Sequence, residues 1–119
     1  NKVDYTNTFV FLMNKTIENS EAYNNTDFDL WKIKWMKRLT MFNNSYDKSM
    51  KLMHTTNPMV IPRNHKIEEA LTLANNGDLK LFNKLIDILK NPYLVNINDL
   101  QFMSPAPQGD KKYQTFCGT

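Results

Sequence analysis

Cysteine is almost absent from this sequence of 119 residues, which contains one thiol, Cys117, two positions before its last residue. A lone cysteine cannot form a disulfide within its own chain, which argues against a disulfide-stabilised secreted scaffold and fits a reducing compartment. We therefore expect a cytoplasmic protein. From the residues alone, two interpretations of Cys117 stay open: an incidental free thiol, or a thiol directed at a partner outside the 119 residues.

Glycine and long apolar runs are scarce as well. The three glycines are dispersed along the chain, which excludes a glycine-rich phosphate-binding loop. No stretch is apolar for long enough to cross a bilayer, so we expect no membrane partner. The sequence begins at Asn1 without an initiator methionine and without the pattern of a signal peptide, and we expect it to be a fragment of a larger protein.

Groups that could assemble a catalytic or metal site are few. The two histidines, His54 and His65, fall on different predicted segments, and no ligand spacing links them to carboxylates or to Cys117. Glu68 and Glu69 are adjacent on a predicted helix and so point in different directions. We predict no catalytic residue, no metal site and no bound cofactor in these 119 residues, so that the chain alone is inactive.

An amphipathic helical pattern is what the sequence does contain. Apolar residues recur every three or four positions, whereas no alternating run is long enough to predict a sheet. The pattern predicts an all-α fold of about five helices in a small bundle with an extended C-terminal tail. We assign residues 1–93 to a helical domain and residues 94–119 to the tail, in which Ile97 to Phe102 can form one helical turn.

Helix boundaries follow from capping residues and breakers. The predicted helices are one that starts after Asp4 or Thr6 and extends towards Ile17, then Asp27–Phe42, Tyr46–His54, one that starts after Asn64 as N-cap and ends near Asn76, and one that starts after Asp78 and ends before Asn91. Thr26 and Asp29 resemble a capping box. Gly77 stands where a left-handed C-terminal cap belongs, so helices four and five should form an antiparallel hairpin.

The connector at residues 57–64 is rigid and apolar, because Pro58 and Pro62 restrict its backbone. Arg63 and Asn64 follow at the start of helix four. The planar guanidinium of Arg63 can bind a carboxylate or a phosphate. A structural ion pair is the favoured role for Arg63. Docking to another domain, or contact with an anion, is the alternative for Arg63 and Asn64.

Cationic and aromatic residues share helix two. Lys34, Lys37 and Arg38 could contact nucleic acid, but the formal net charge of only +3 favours a solvated helix face. Trp31 and Trp35 recur at helical spacing, which favours packing in the core over stacking on a ligand. We expect no nucleic acid partner. A stand-alone basic helical binding module is the alternative function.

Taken in order, several motifs resemble the C-terminal region of the selenoprotein O family, also called SelO or YdiU. They are residues 4–9, the Phe28, Trp31, Trp35, Arg38 and Leu39 pattern, residues 57–65, and Gly77-Asp78 leading to Asn91-Pro92-Tyr93. The terminal residues 113–119 are similar to the tail of bacterial members. The resemblance spans essentially the whole chain.

This resemblance implies a large parent enzyme with a protein-kinase-like core that lies upstream of the present residues. Such a core binds ATP in a flipped orientation and transfers AMP to protein hydroxyl groups with Mg²⁺ or Mn²⁺. The chain would then be the non-catalytic C-terminal part of a bacterial protein adenylyltransferase. Its expected partners are the kinase-like core of the same polypeptide and the protein substrates of the parent enzyme.

Cys117 stands third from the end, where eukaryotic members of the family have selenocysteine. The resemblance therefore implies a redox-sensitive residue that pairs with a thiol of the absent core. A thiol has a higher pKa than a selenol and is a poorer nucleophile at neutral pH. The redox potency of Cys117 is accordingly expected to be lower than that of its selenium counterpart.

Overall fold

A computed structural model describes residues 3–15, 17, 20–41 and 45–107. Among these residues the chain forms helices and no strand, which confirms the predicted all-α class. The α-helices are α1 (Tyr5–Leu12), α2 (Thr26–Thr40), α3 (Tyr46–Thr56), α4 (Asn64–Asn75) and α5 (Lys80–Lys90), and two 3-10 helices cover Ser20–Tyr23 and Ile97–Phe102. None of the helices in this described part is both long and apolar enough to cross a bilayer.

Helix α1 begins as predicted and ends early. The carboxylate of Asp4, in extended backbone, accepts a hydrogen bond from the Asn7 N–H at 2.9 Å and so caps the helix. The helix stops at Leu12, and Asn14 then adopts a left-handed conformation with φ 58°, which asparagine tolerates better than most residues. Ile17 therefore packs into the core from outside the helix, not from its last turn.

Helix α2 begins one residue before its predicted start, and the predicted capping box is wrong. The N-cap is Asn25, whose side-chain oxygen accepts from the Phe28 N–H at 2.9 Å, while Thr26 is the first helical residue. An asparagine is as good an N-cap as a threonine, and here it reaches the third helical N–H. Asp27 and Asp29 lie in the first turn, where their negative charge complements the helix dipole.

Helices α4 and α5 pack against each other as the predicted hairpin. Gly77 has φ 87°, its N–H donates to the Ala74 carbonyl at 2.9 Å, and the Asp78 N–H donates to the Leu73 carbonyl at 3.0 Å. These two bonds are those of a Schellman motif. The N-cap position of α5 belongs to Leu79 and not to Asp78 as predicted, although the Asp78 carboxylate accepts from the Lys80 N–H at 3.0 Å one residue earlier.

The core draws on all five α-helices, the connector and the second 3-10 helix. Its largest fully buried side chains are Phe102, Leu12, Met103, Val10 and Val60. Phe102 and Met103 belong to the segment that the sequence assigned to an extended tail, so the core continues beyond residue 93. A salt bridge of 2.9 Å between Lys84 and the buried Asp99 fixes this segment to α5.

The connector before α4 is held against the turn that follows α5. The N–H groups of Met59 and Val60 donate to the Pro92 carbonyl at 2.7 and 3.3 Å, and both side chains are buried. Extended backbone cannot satisfy its own polar groups, so this turn supplies the acceptor. The pairing fixes the position of Arg63, which ends the connector.

Candidate functional site

Arg63 is the centre of a polar network that joins distant parts of the chain. Its Nη1 lies 2.6 Å from Asp4 Oδ2, and its Nη2 lies 2.8 Å from Asp4 Oδ1. The two side chains are only 11% and 19% exposed. This bidentate geometry is the strong form of a charged hydrogen bond, and it confirms the predicted structural ion pair of Arg63. Because Asp4 also caps α1, the same carboxylate fixes the starts of α1 and α4 relative to each other.

A third segment enters the network through a backbone carbonyl. The Met103 oxygen accepts from Arg63 Nη2 at 3.0 Å and from Asn7 Nδ2 at 3.1 Å. Asn7 is buried on α1, and its own side-chain oxygen lies 3.4 Å from Arg63 Nη2. We refer to Asp4, Asn7, Arg63 and the Met103 carbonyl as the Arg63 network. It connects α1, the connector and the end of the second 3-10 helix.

Charge and burial shift the pKa values of two groups in or beside this network. Hydrogen bonds from the Arg63 guanidinium lower the pKa of Asp4 below its ordinary value of 3.8; burial opposes this shift and the Asn7 N–H reinforces it. Burial lowers the pKa of His65, and the positive charges of Lys66 and Arg63 lower it further. Asp4 is therefore ionised and His65 is predominantly neutral at pH 7.

Asn64 does not act as the predicted N-cap. It is the first residue of α4, and the N-cap position belongs to Arg63, which makes no side-chain cap hydrogen bond because a guanidinium has no acceptor atom. An open cavity of about 300 Å³ lies beside this helix start, lined by Ile61, Pro62, Arg63, Asn64, His65 and Ala106. The Arg63 Nε is buried and has no hydrogen-bond partner among the described residues. Anion contact or domain docking by Arg63 and Asn64 stays a prediction.

Aromatic side chains form a second feature, between α1 and α2. Phe11 stacks on Tyr23 with ring centroids 4.6 Å apart, and Phe28 meets both rings edge-on. Burial raises the pKa of Tyr23, whose hydroxyl lies 3.3 Å from the Thr8 hydroxyl. The series continues along α2, where Phe28 and Trp31 lie 5.5 Å apart.

The tryptophans of α2 are less buried than the sequence predicted. Trp31 is 43% exposed, so its assignment to the core is wrong, and Trp35 is partly buried against the core. The two tryptophan rings stack along the helix, with their centroids 6.4 Å apart. Helical spacing identified the correct face of α2, but among the described residues of this helix only Phe28 is buried.

The remaining candidates are not brought together. Lys34, Lys37 and Arg38 are exposed on α2, as expected for a solvated face. Among the described residues no cluster of three or more histidine, cysteine, aspartate or glutamate side chains could hold a metal ion. Cys117 lies outside the described residues. Sequence reasoning missed Asn7, for which only the motif at residues 4–9 gave a signal, and the Met103 carbonyl, for which there was none.

Comparison with known proteins places this chain in a family. The model of the family described as protein adenylyltransferase SelO matches residues 1–90. The chain belongs to the SelO family. It is 78% identical over 118 residues to the protein nucleotidyltransferase YdiU of Pelagibacter ubique, and 40% and 39% identical over 119 residues to those of Bacillus mycoides and Bacillus thuringiensis. No solved structure matches.

These alignments cover 99% of this chain but only 24% of each of the three relatives. The chain thus spans about a quarter of the length of the curated SelO-family proteins that it matches. The Arg63 network connects two of the motifs that carry the family resemblance, residues 4–9 and residues 57–65, at one buried site.

Proposed function

We propose that this chain is a non-catalytic helical part of a protein adenylyltransferase and that it supports a kinase-like core outside these residues. The proposal rests on one finding: the chain belongs to the SelO family, yet it covers only 24% of the length of a relative named protein nucleotidyltransferase YdiU. In the parent enzyme, AMP would pass from ATP to a protein hydroxyl group. The core would bind ATP together with Mg²⁺ or Mn²⁺.

The described polar groups favour a supporting role. The guanidinium of Arg63 is held by Asp4, Asn7 and Met103, all within this chain. Asp99, the one buried acid among the described residues, is paired with Lys84. Buried charges that are paired in this way fix the relative positions of segments, whereas catalytic groups need access to a substrate.

An assay of AMP transfer tests this proposal. The full-length parent and the 119-residue chain would be incubated separately with labelled ATP, Mg²⁺ or Mn²⁺, and an acceptor protein. We expect label transfer by the parent and none by the chain alone. Transfer by the 119-residue chain would contradict a purely supporting role. Absence of AMP transfer by the parent with either Mg²⁺ or Mn²⁺ would refute the proposed activity of the parent enzyme.

We further propose that Cys117 is a redox-sensitive thiol of the parent enzyme. The support is the resemblance of residues 113–119 to the family tail, in which this position is third from the end. Oxidation by a peroxide would join the sulfurs of Cys117 and a second thiol of the parent. The two thiols would lose two protons and two electrons, which reduce the peroxide to water.

Substitution of the thiol tests the switch. In the full-length parent, we expect hydrogen peroxide to change AMP transfer by the wild type reversibly, with recovery on addition of dithiothreitol. Cys117→Ser should have the basal activity of the reduced wild type and no response to peroxide. An equal response of both proteins would exclude Cys117 as the sensor.

A further inference from the structure

An apolar groove lies between the start of α1 and the first half of α2. Its volume is about 310 Å³, and its lining is Val3, Tyr5, Thr8, Phe9, Phe28 and Trp31. Two of these residues, Tyr5 and Thr8, carry a hydroxyl group, and the Thr8 hydroxyl donates to the Asp4 carbonyl at 2.7 Å. A nucleotide or phosphate would find no charged partner in this lining. The chemistry of the groove therefore calls for an apolar occupant.

Two exposed aromatic side chains line the groove, one on each helix. Tyr5 of α1 is 79% exposed and packs edge-on against Phe9 with ring centroids 5.0 Å apart, and Trp31 of α2 is 43% exposed. Large aromatic side chains that remain in water beside an apolar cavity are typical of interaction surfaces. The groove thus has the composition of an interaction surface.

The groove is also held in a fixed shape. Tyr5 directly follows Asp4, which Arg63 and the α1 cap hold in place. Phe28, the buried residue of the lining, packs in the aromatic cluster with Phe11 and Tyr23. A surface that is already ordered loses little conformational entropy when a partner binds.

We propose that an apolar segment of the same polypeptide, from the part of the parent protein outside these 119 residues, fills this groove. The inference rests on the proposed function, in which this chain supports a larger enzyme. About three quarters of the length of the relatives lies outside the matched region. A segment tethered to the same chain has a high effective concentration at the groove, which a separate partner lacks.

Charges around the groove agree with an apolar contact. Asp27 and Asp29 precede Trp31 on α2, and Lys32 and Lys34 follow it. The two signs are balanced, so no single-sign field attracts a nucleic acid or an acidic protein. Burial of apolar surface is therefore the dominant attraction between the groove and its occupant.

Hydroxyl-radical footprinting of the full-length parent tests the occupancy of the groove. Tyr5 and Tyr93 are a matched pair of the same chemistry, 79% and 42% exposed here. With oxidation rates normalised to those of the unfolded protein, an open groove would make Tyr5 react faster than Tyr93. We expect the reverse, with Tyr5 several-fold slower than Tyr93 and Trp31 protected as well. Tyr5 reacting at least as fast as Tyr93 would overturn the proposal.

Cross-linking of a mixture of light and isotopically heavy parent protein identifies the source of the occupant. We expect Lys32, beside Trp31, to form cross-links to residues outside the 119 within one molecule, seen as light–light and heavy–heavy pairs only. Protection of Tyr5 with light–heavy pairs would assign the groove to a second copy and overturn the intramolecular occupant. Neither readout uses AMP transfer, so a protected groove in a protein without that activity would refute the proposed function alone.

Discussion

Arg63 donates to three residues from a side chain that is only 11% exposed. Lysine could not replace it, because an ammonium cannot hold two carboxylate oxygens in one plane while reaching a carbonyl. Arg63 therefore acts through the planar shape of its guanidinium as well as through its charge. Its removal would leave the Asp4 carboxylate partly buried without a cation.

For Arg63→Ala, we expect the free energy of unfolding of the chain to fall by about 3 kcal/mol, the typical loss when one partner of a buried ion pair is removed. Urea denaturation followed by circular dichroism measures this change. Lys90→Ala is the control, because Lys90 and Asp87 pair at the surface with 71% and 70% exposure, and loss of such a pair changes stability by about 0–1 kcal/mol. Similar losses for both variants would argue against a special role for the Arg63 network.

The lowered pKa of Asp4 predicts a pH dependence of stability. A carboxyl group that holds its proton more weakly in the folded chain stabilises the fold above its ordinary pKa of 3.8, and this contribution disappears as the pH falls through the lower, folded pKa. Wild type should therefore exceed Asp4→Asn in stability near neutral pH, and the excess should shrink below about pH 4. Urea unfolding of both proteins across this range tests the prediction, and a constant difference would refute it.

Among the elements, the α4–α5 hairpin was the most predictable from sequence. Gly77 and Asp78 act within a few residues of where they stand, and local signals of this kind survive in any tertiary context. The start of α2 was less predictable, because Asn25 and Thr26 are both good caps and only the surrounding chain selects between them. The end of α1 was missed, since a left-handed Asn14 has no strong sequence signature.

For Gly77→Ala, we expect a loss of about 1–2 kcal/mol, the typical penalty of a left-handed backbone for a residue with a Cβ. The added methyl group meets no atom within 4 Å, so the loss reports the backbone conformation and not a clash. Gly77→Asn should lose less, because asparagine tolerates this conformation. Thermal unfolding of the three proteins measures the series, and a Gly77→Ala variant at least as stable as wild type would contradict it.

The Arg63 network could be predicted only in part. Asp4 as a cap and Arg63 in an ion pair both followed from residue type and position. Their pairing did not, because 59 residues separate them and nothing in the spacing specifies which acid the arginine meets. The Met103 carbonyl was beyond prediction, since every residue has one and only the fold decides which carbonyl lies beside a guanidinium.

At the scale of the whole molecule, the second 3-10 helix belongs to the core. The predicted tail stays a prediction for the residues beyond 107. Phe102 and Met103, which the sequence also assigned to the tail, are only 2% and 1% exposed. Periodicity did not reveal this burial, because a single turn of helix is too short to show a face. The burial of these two side chains holds the segment in the core, although turn-forming residues follow it in the sequence.

Truncation tests the extent of the folded unit. A chain of residues 1–107 keeps Phe102, Met103 and the Lys84–Asp99 pair, and we expect it to unfold cooperatively. A chain of residues 1–93 lacks them and exposes their core contacts, and loss of one buried phenylalanine side chain alone typically lowers stability by about 3–5 kcal/mol. We expect the shorter chain to lose its cooperative transition in calorimetry. An equally cooperative transition in both chains would place the folded unit within residues 1–93.

The Met103 carbonyl also has a mechanical consequence. Asn7 and Met103 are 96 residues apart in sequence, yet they share a hydrogen bond, and Arg63 joins both to Asp4. Tension applied along the backbone at residues 4 and 103 would load this set of bonds before it could stretch any helix between them. The Arg63 network would therefore set the force at which the domain yields, although it occupies a small fraction of the interior.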